Sequence, residues 1–277
     1  MRKINYVAFT LACFQSAAYS QYVPYPGDGP SVYVVRVIAV GSAQRDAFVA
    51  CLAQNDLPFW RGVKEKGLLA KVSVFETTSV TKSEPGVPAW NFVISSHLAE
   101  GASADSFLQS IEKRKGCEAV PGVEVRRTET MRTPPNLSTW ARETAAYDLK
   151  ARELKVEFKI EYIAVKETPE AIDREREFMR LYEAPLIGLG IRAGYQFSAF
   201  ALETAQVNYS QPGMPKWHDI HFVGAIPGTD WVAAKAALDP EIRQLNPRKD
   251  GFVADLDSIV TNTRIDRVRQ LFELAVR

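Results

Sequence analysis

Histidine and cysteine are scarce in this sequence, with three residues of each among 277. The chain also contains no glycine-rich phosphate loop, no Gly-x-Ser-x-Gly elbow, no Cys-x-x-Cys pair and no His-Glu-x-x-His motif. Lysine plus arginine (34) almost balance aspartate plus glutamate (33), which leaves a net charge of +1. The sequence therefore shows none of the usual motifs of phosphate-binding, hydrolase or zinc sites. Its small net charge also gives no reason to expect nucleic acid or an anionic membrane as a partner.

The N-terminus lacks an apolar run long enough to span a membrane, because the run of residues 7–14 is far too short. Its pattern fits a short secretory signal instead. Met1-Arg2-Lys3 is basic, the apolar run follows, and Ala18-Tyr19-Ser20 supplies small residues before a cleavage point. The sequence therefore predicts a signal peptide over residues 1–20, cleaved near Ser20, and a secreted or periplasmic protein.

Removal of this segment takes Cys13 away and leaves Cys51 and Cys117. Export would permit a disulfide between them. Cys51 is expected well inside the first helix and Cys117 just past the second, and antiparallel helices would hold the two sulfurs too far apart for bridging geometry. The sequence favours two buried thiols over a disulfide.

One stretch of the chain occurs twice. Pro85-Gly86-Val87-Pro88-Ala89-Trp90 reappears as Pro212-Gly213-Met214-Pro215-Lys216-Trp217, and each copy predicts a turn that leads into a strand. The offset between the copies is 127 residues (217 − 90 = 127). Other pairs keep the same offset without insertion: Pro58 and Pro185, Gly67 and Gly194, Glu76 and Glu203. A constant offset of this kind indicates an internal duplication.

Hydrophobic periodicity predicts the same order of elements, βαββαβ, in both copies. The fold class is therefore α+β, with two tandem ferredoxin-like repeats. The predicted divisions are a signal peptide (1–20), a Pro/Gly linker (21–31), the first repeat (32–135), a connecting helix (136–155) and the second repeat (156–277). Within the second repeat, residues 252–261 are predicted as the last strand and residues 265–276 as a C-terminal helix.

A ferredoxin-like sheet carries helices on one face only, so its other face needs a cover. Strand 156–164 has apolar residues on both faces, which indicates that the second sheet covers the first. Two antiparallel sheets packed face to face make an eight-stranded barrel whose lumen can hold one small ligand. The expected partner is a small molecule, and the expected assembly is a monomer with pseudo-twofold symmetry or a weak homodimer.

The tandem βαββαβ order over residues 32–277 resembles the dimeric α/β-barrel superfamily in its fused, two-repeat form. That resemblance implies a fold shared by small monooxygenases, isomerases, haem enzymes and stress-response proteins, so it leaves the function open. Haem members of the superfamily typically bind iron through a histidine on a helix. No predicted helix here carries a histidine, and no cofactor is expected.

The strongest candidate site lies on the second copy of the repeated stretch. Trp217, Asp219 and His221 share one face of the predicted strand, whereas Ile220 and Phe222 share the other with His218. If the apolar pair faces the helices, the polar set points into the barrel. Glu203, on the preceding strand, is expected near Trp217 or Asp219, and carboxylates beside an imidazole would suit a general base. His218 and His221 point to opposite faces, so a shared metal ion is not expected.

The first copy supplies further candidates for ligand contact. Trp90 could stack on a flat ligand, and Arg36 is expected on the lumen face of the first strand. Glu76 and Glu203 stand at equivalent positions, either as an acid pair across the pseudo-twofold axis or each bound to a nearby arginine or amide. Asn91, Phe92 and Ile94 occupy the places of His218, Asp219 and His221. One polar and one apolar half would produce a single asymmetric pocket, although drift between the copies would leave the same pattern.

Three functions follow from these candidates. The first is a cofactor-independent monooxygenase- or isomerase-type enzyme, with His221 as base, Asp219 or Glu203 as its orienting partner, and Trp217 as a wall. The second is a non-catalytic ligand-binding or stress-related protein that uses the same pocket. The third is a structural duplication that binds partners through its helical exterior. A lumen lined by the polar set favours the first two functions, and a lumen filled with large apolar side chains favours the third.

Overall fold

The computed structural model of the chain describes residues 31–114, 116–133, 157–179, 196–225, 228–245 and 258–274. The predicted signal peptide, the linker up to residue 30 and the connecting helix over 136–155 lie outside these ranges. Among the described residues, no helix is both long enough and apolar enough to cross a membrane.

Eight antiparallel strands close into one barrel. They are β1 (Val32–Val40), β2 (Leu69–Ser83), β3 (Phe92–Leu98), β4 (Val123–Arg132), β5 (Glu157–Val165), β6 (Gln196–Ser210), β7 (Asp219–Ala225) and β8 (Val260–Leu274). The order around the barrel is β1-β3-β2-β8-β5-β7-β6-β4. The first four strands therefore lie in the order β4-β1-β3-β2, and the last four in the order β8-β5-β7-β6. The two halves join through hydrogen-bonded strand pairs at both edges, β2 with β8 and β4 with β6. The predicted mixed α+β fold with a closed antiparallel barrel is confirmed.

The described helices lie outside the barrel wall. They are α1 (Arg45–Cys51), a π-helical turn (Leu52–Asp56), α2 (Leu57–Glu65), α3 (Ala104–Arg114), α4 (Pro169–Phe178) and α5 (Trp231–Leu245). Thr168 caps α4, because its hydroxyl accepts a hydrogen bond from Ala171 N at 3.2 Å. Pro58 does not end the helical run from Arg45 to Glu65. It lies in the first turn of α2, where a missing N–H is tolerated.

The end of the chain differs from the prediction. Residues 260–274 form β8, although the apolar positions 265, 268, 271 and 272 have helical spacing. Residues 252–257 lie outside the described ranges, and the predicted strand over 252–261 is found only at its last two residues. β8 pairs with β2 on one side and β5 on the other, so two neighbouring strands bond its backbone. These ladders override the helical spacing, because tertiary pairing outweighs local propensity.

The structure contains a disulfide between Cys51 and Cys117, which corrects the expectation of two free thiols. Cys51 is the last residue of α1, and Cys117 opens a short 3-10 turn that follows α3. The turn begins at Gly116, where an added Cβ would lie 3.0 Å from the Asp56 carboxylate, so a glycine suits this position. The Cα atoms of the two cysteines are 5.7 Å apart, which is within the normal range for a disulfide.

Side chains alternate between the lumen and the helix layer along each strand. On β1, Tyr33, Val35 and Val37 join the lumen cluster. Val34 and Ile38 instead pack under the helices, in a second core with Phe48, Leu52 and Trp60. The barrel wall therefore separates two interiors, and the face that a strand residue takes decides which of them it enters.

Candidate functional site

The strand that carries the candidate site has its faces reversed relative to the prediction. Trp217, Ile220 and Phe222 belong to the lumen cluster. Asp219 and His221 therefore take the helix-facing side of β7, where Asp219 pairs with Ile163 and His221 with Glu161 across the ladder. The prediction that Trp217, Asp219 and His221 share the lumen face was wrong.

The cause is an irregular residue between Trp217 and the start of β7. His218 N donates to Ile163 O, and Thr204 N donates to His218 O, both at 2.7 Å. Its ring Nδ1 also accepts from Val165 N at 2.9 Å. The regular ladder begins only at Asp219, so the alternation counted from Trp217 does not continue through it.

Glu203, Asp219 and His221 nevertheless lie together, on the outer face of the sheet. Glu203 is directly opposite Asp219 on β6, and Ala201 is opposite His221. Asp219 and His221 are two residues apart on one strand face, a separation of about 7 Å. The structure therefore brings the three predicted catalytic residues together, but beneath α4 and not in the lumen. It places Trp217 on the other side of the wall.

Two arginines bind the Glu203 carboxylate. Arg176 of α4 donates to Oε1, with Nε at 3.1 Å, and Arg132 Nε lies 3.4 Å from Oε2. Asp219 is buried with 3% of its surface exposed. Burial, together with the facing Glu203 carboxylate, raises the pKa of Asp219 to about 8, against a smaller opposing effect of Arg176. Asp219 is therefore mainly protonated at neutral pH and can donate a proton.

The same region of the first half is apolar. There Phe48 of α1 packs edge-on against Phe92 of β3, with ring centroids 5.0 Å apart, and Ile94 lies in the same core. Residues 127 positions later are Glu175, Asp219 and His221, of which 5%, 3% and 6% is exposed. The second half thus buries three ionisable groups where the first half buries two rings and an isoleucine. Burial of such groups is costly unless they are hydrogen-bonded or paired.

Glu76 keeps the position of Glu203, but Phe92 stands beside it where the second half has Asp219. It is held by Arg45 Nε at 2.7 Å and by Arg269 Nε at 2.8 Å. These bonds lower the pKa of Glu76. Glu76 and Glu203 are each bound to arginines, which is the second of the two arrangements considered for them. An acid pair between them is not formed.

Arg36 does not line the lumen, which corrects a further expectation. It forms an ion pair with Glu118 and lies near Asp56, on the helix-facing side of β1. Burial lowers the pKa of Arg36 to about 10. The prediction failed because the lumen residues of β1 are the odd-numbered ones, Tyr33, Val35 and Val37.

The lumen is filled by large side chains. The rings of Trp90, Trp217 and Tyr162 are in mutual contact, with centroids 5.0–5.8 Å apart. Phe75, Phe158 and Phe222 form a second aromatic group beside them. Trp90 and Trp217 are thus lumen residues as expected, but they pack on each other and on Tyr162.

Two buried arginine–carboxylate pairs flank these rings, and sequence reasoning missed both. Arg127 and Glu129 of β4 contact Trp217, with the guanidinium 3.9 Å from the indole centre. Arg264 and Asp266 of β8 contact Trp90 in the same way, at 3.7 Å. The sequence pattern that could have identified these pairs is an arginine followed two residues later by an acid, which occurs in both copies. Each arginine–carboxylate pair lies in the half of the chain that does not supply the tryptophan it contacts.

The three histidines of the chain all fall on or beside strands. His97 of β3 stacks on Tyr33 at 4.5 Å, His218 binds a backbone amide, and His221 lies on β7. Histidine is thus absent from every helix, so the chain does not fit a haem held by a helix histidine. Within the described ranges, no group of three or more histidine, cysteine, aspartate or glutamate side chains is arranged to hold a metal ion.

No family model and no curated protein matches the sequence. Solved structures that match include an anthrone oxidase-like protein (10% identity, 91% of this chain and 98% of that chain, TM-score 0.45). They also include a mutant chlorite dismutase from Candidatus Nitrospira defluvii in complex with cyanide (7%, 86% and 90%, 0.46). A third is a DypB variant from Rhodococcus jostii RHA1 in complex with heme (10%, 86% and 93%, 0.47).

The identities are 10% or lower and the TM-scores are below 0.5, so no family, substrate or cofactor is transferred from these structures. The fold is established by the strand order of the barrel itself.

Proposed function

We propose that the protein is an exported tandem ferredoxin-like barrel that catalyses proton transfer on a small organic carbonyl compound, as an isomerase-type enzyme without a redox cofactor. The proposed site is the space between α4 and the outer face of β6 and β7. One observation carries the proposal: Glu175, Asp219 and His221 are buried where the other half packs Phe48, Phe92 and Ile94. The equal strand orders of the two halves support the tandem repeat.

In the proposed step, His221 accepts a proton from the carbon next to the carbonyl group, and Asp219 donates its proton to the carbonyl oxygen. The carbon–hydrogen electron pair forms a carbon–carbon double bond, and the product is an enol. Return of the protons to other positions completes the isomerisation. Only protons move, so the step needs no oxidant or reductant. Such positioned acid–base groups typically contribute about 10²–10⁴ in rate.

Glu203 has a supporting role in this proposal. Its carboxylate faces Asp219 and disfavours the ionised form of that residue, because two nearby carboxylates cannot both ionise easily. Arg176 and Arg132 hold the Glu203 carboxylate in place. The acid and the group that keeps it protonated are therefore on facing strands.

The test is hydrogen exchange in D₂O. The wild-type protein is incubated with a panel of small keto acids and hydroxy ketones, and NMR follows the loss of the proton next to each carbonyl group. We expect exchange of at least one compound, reduced about 100-fold in Asp219→Asn and in His221→Ala. Asp266→Asn is the matched control, because it also removes a buried aspartate charge but lies in the lumen. Its rate should stay within about twofold of the wild type.

Full exchange by His221→Ala would contradict the proposal. Binding of a panel compound without exchange would instead favour the second candidate, a non-catalytic binding protein that uses the same site. The filled lumen supports a structural role for the barrel interior, and it argues against a ligand site there.

A further inference from the structure

The Glu129 carboxylate lies on the lumen side of the wall, directly behind the proposed site. It accepts hydrogen bonds from Trp217 Nε1 at 2.6 Å and from Thr204 Oγ1 at 3.1 Å. Thr204 follows Glu203 in the chain, and Trp217 precedes Asp219 by two residues. One fully buried carboxylate on β4 therefore binds the neighbours of both acids at once.

Arg127 extends this attachment to the main chain. Its guanidinium donates to Pro215 O at 3.0 Å and lies 3.5 Å from Trp217 O. It also binds the Glu129 carboxylate through Nη2 at 2.8 Å. The segment that enters β7 is thus held from the lumen by both its backbone and its indole ring. This attachment keeps the Trp217 ring in the lumen, and Asp219 therefore takes the outer face of the sheet.

A corresponding attachment is present around Asp266. Arg264 binds Asp266 and donates to Trp90 O at 2.7 Å, just as Arg127 binds Glu129 and lies near Trp217 O. The Asp266 carboxylate interacts with the Trp90 and Thr77 side chains, as Glu129 does with Trp217 and Thr204, although these two contacts fall outside ordinary hydrogen-bond geometry. Asp266 is one methylene shorter than Glu129, and the Trp90 indole donates to the Tyr162 hydroxyl at 3.2 Å. Thr77 stands 127 residues before Thr204.

The two attachments have equivalent partners, and the halves differ on the outer face of the sheet. The Glu129 attachment lies behind Asp219 and Glu203, and the Asp266 attachment lies behind Phe92 and Glu76. We infer that Glu129 is a positioning residue, which holds Asp219 and Glu203 at their mutual distance through the sheet. The inference rests on the proposed function, because it assigns Glu129 to the same acid pair.

Several charged or titratable groups lie near Asp219 and affect its pKa. They are Glu203 on β6, His221 on β7, Glu175 and Arg176 on α4, and Arg132 and Glu129 on β4. Glu129 is the one of these that approaches from the lumen. Its negative charge adds to the effect of Glu203 in raising the pKa of Asp219.

The test compares equivalent substitutions in the two halves. Thr204→Val removes one donor to Glu129, and Thr77→Val removes the equivalent hydroxyl beside Asp266, in the half that has no acid pair on its outer face. The readout is the pH midpoint of the Asp219 carboxyl carbon, measured by NMR on isotope-labelled full-length protein, which needs no substrate. We expect Thr204→Val to lower this midpoint by about 1 pH unit, because the two carboxyl groups separate. Thr77→Val should leave it within about 0.3 unit.

A second pair of variants tests the carboxylate itself. Glu129→Gln and Asp266→Asn each leave one arginine without its charge partner, so their costs in stability should be similar. We expect only Glu129→Gln to lower the Asp219 midpoint, by about 1 unit or more, and to slow the D₂O exchange about tenfold.

The outcomes separate this inference from the function it rests on. An Asp219 that titrates near pH 4 in the wild-type protein contradicts the proposed function. A high midpoint that all four variants leave unchanged overturns the role of Glu129 alone. Equal shifts in both halves also overturn it, because they indicate a general loosening of the barrel.

Discussion

At the scale of single residues, Trp217 and Asp219 show how two neighbours enter different interiors. The indole packs among rings in the lumen, and the carboxyl group lies buried beneath α4. One irregular residue, His218, separates them and changes the face. The first half has the same arrangement, with Trp90 in the lumen and Phe92 under the helices. The difference between the halves is therefore in side-chain chemistry and not in backbone path.

Asp219 should make the stability of the protein depend on pH. Its folded-state pKa of about 8 lies above the ordinary value of 3.8 for an aspartate, so the folded state retains a proton that the unfolded state loses. Stability from this group is full below pH 4 and is lost as the pH rises towards 8. Asp219→Asn removes the effect, because its amide does not titrate.

We therefore expect wild-type stability to fall relative to Asp219→Asn by on the order of 3 kcal/mol between pH 5 and pH 8. Urea denaturation of both proteins at the two pH values measures this difference. Asp266→Asn serves as a second reference for the loss of a buried aspartate. A constant difference between wild type and Asp219→Asn would show that Asp219 titrates normally.

At the scale of elements, a disulfide links two parts of the helix layer in the first half. Cys51 ends α1, and Cys117 lies in the turn after α3. The next residue, Glu118, forms the ion pair with the buried Arg36. The disulfide thus links two helical elements and holds the partner of a buried charge nearby.

Replacement of both cysteines by serine should destabilise the protein by about 4 kcal/mol, because the disulfide closes a loop of 66 residues in the unfolded chain. Urea denaturation of the oxidised wild type and the double variant gives the difference. The wild type treated with a reductant is the control, and it should match the variant. A loss below about 1 kcal/mol would mean that the unfolded chain is not restricted by this link.

At the scale of the whole molecule, every strand of the barrel has two bonded neighbours. The barrel therefore has no edge strand, although β2 beyond Glu76 and β6 beyond Glu203 are largely paired on one side only. The monomer or weak homodimer stays a prediction. The disulfide suits the predicted export, since such bonds persist in oxidising compartments.

Mass spectrometry of the protein expressed with its N-terminal segment in an exporting host tests these points together. We expect a mature chain that begins at Gln21 and carries the intact disulfide, since residues 18–20 form the predicted cleavage site. The native spectrum reports the number of copies and any small molecule that remains bound. A chain that begins at Met1 with free thiols would contradict export.

Much of this protein could be predicted from the sequence by itself. The constant offset of 127 residues, the turns at Gly86 and Gly213, and the alternation of β1 to β7 determined a repeated α+β barrel. These features are local, so the periodicity of side chains reports them directly. The grouping of Glu203, Asp219 and His221 was predictable for the same reason, because cross-strand spacing decides it.

Only the tertiary structure decided which side of the wall these residues occupy. A single irregular residue at His218 reverses the face of every later residue in β7, and hydrogen bonds to β5 and β6 determine that irregularity. The strand β8, the disulfide and the partners of Trp90 and Trp217 likewise depend on segments far away in the sequence. Composition and periodicity carry no information about such contacts, because they arise only when distant strands pair.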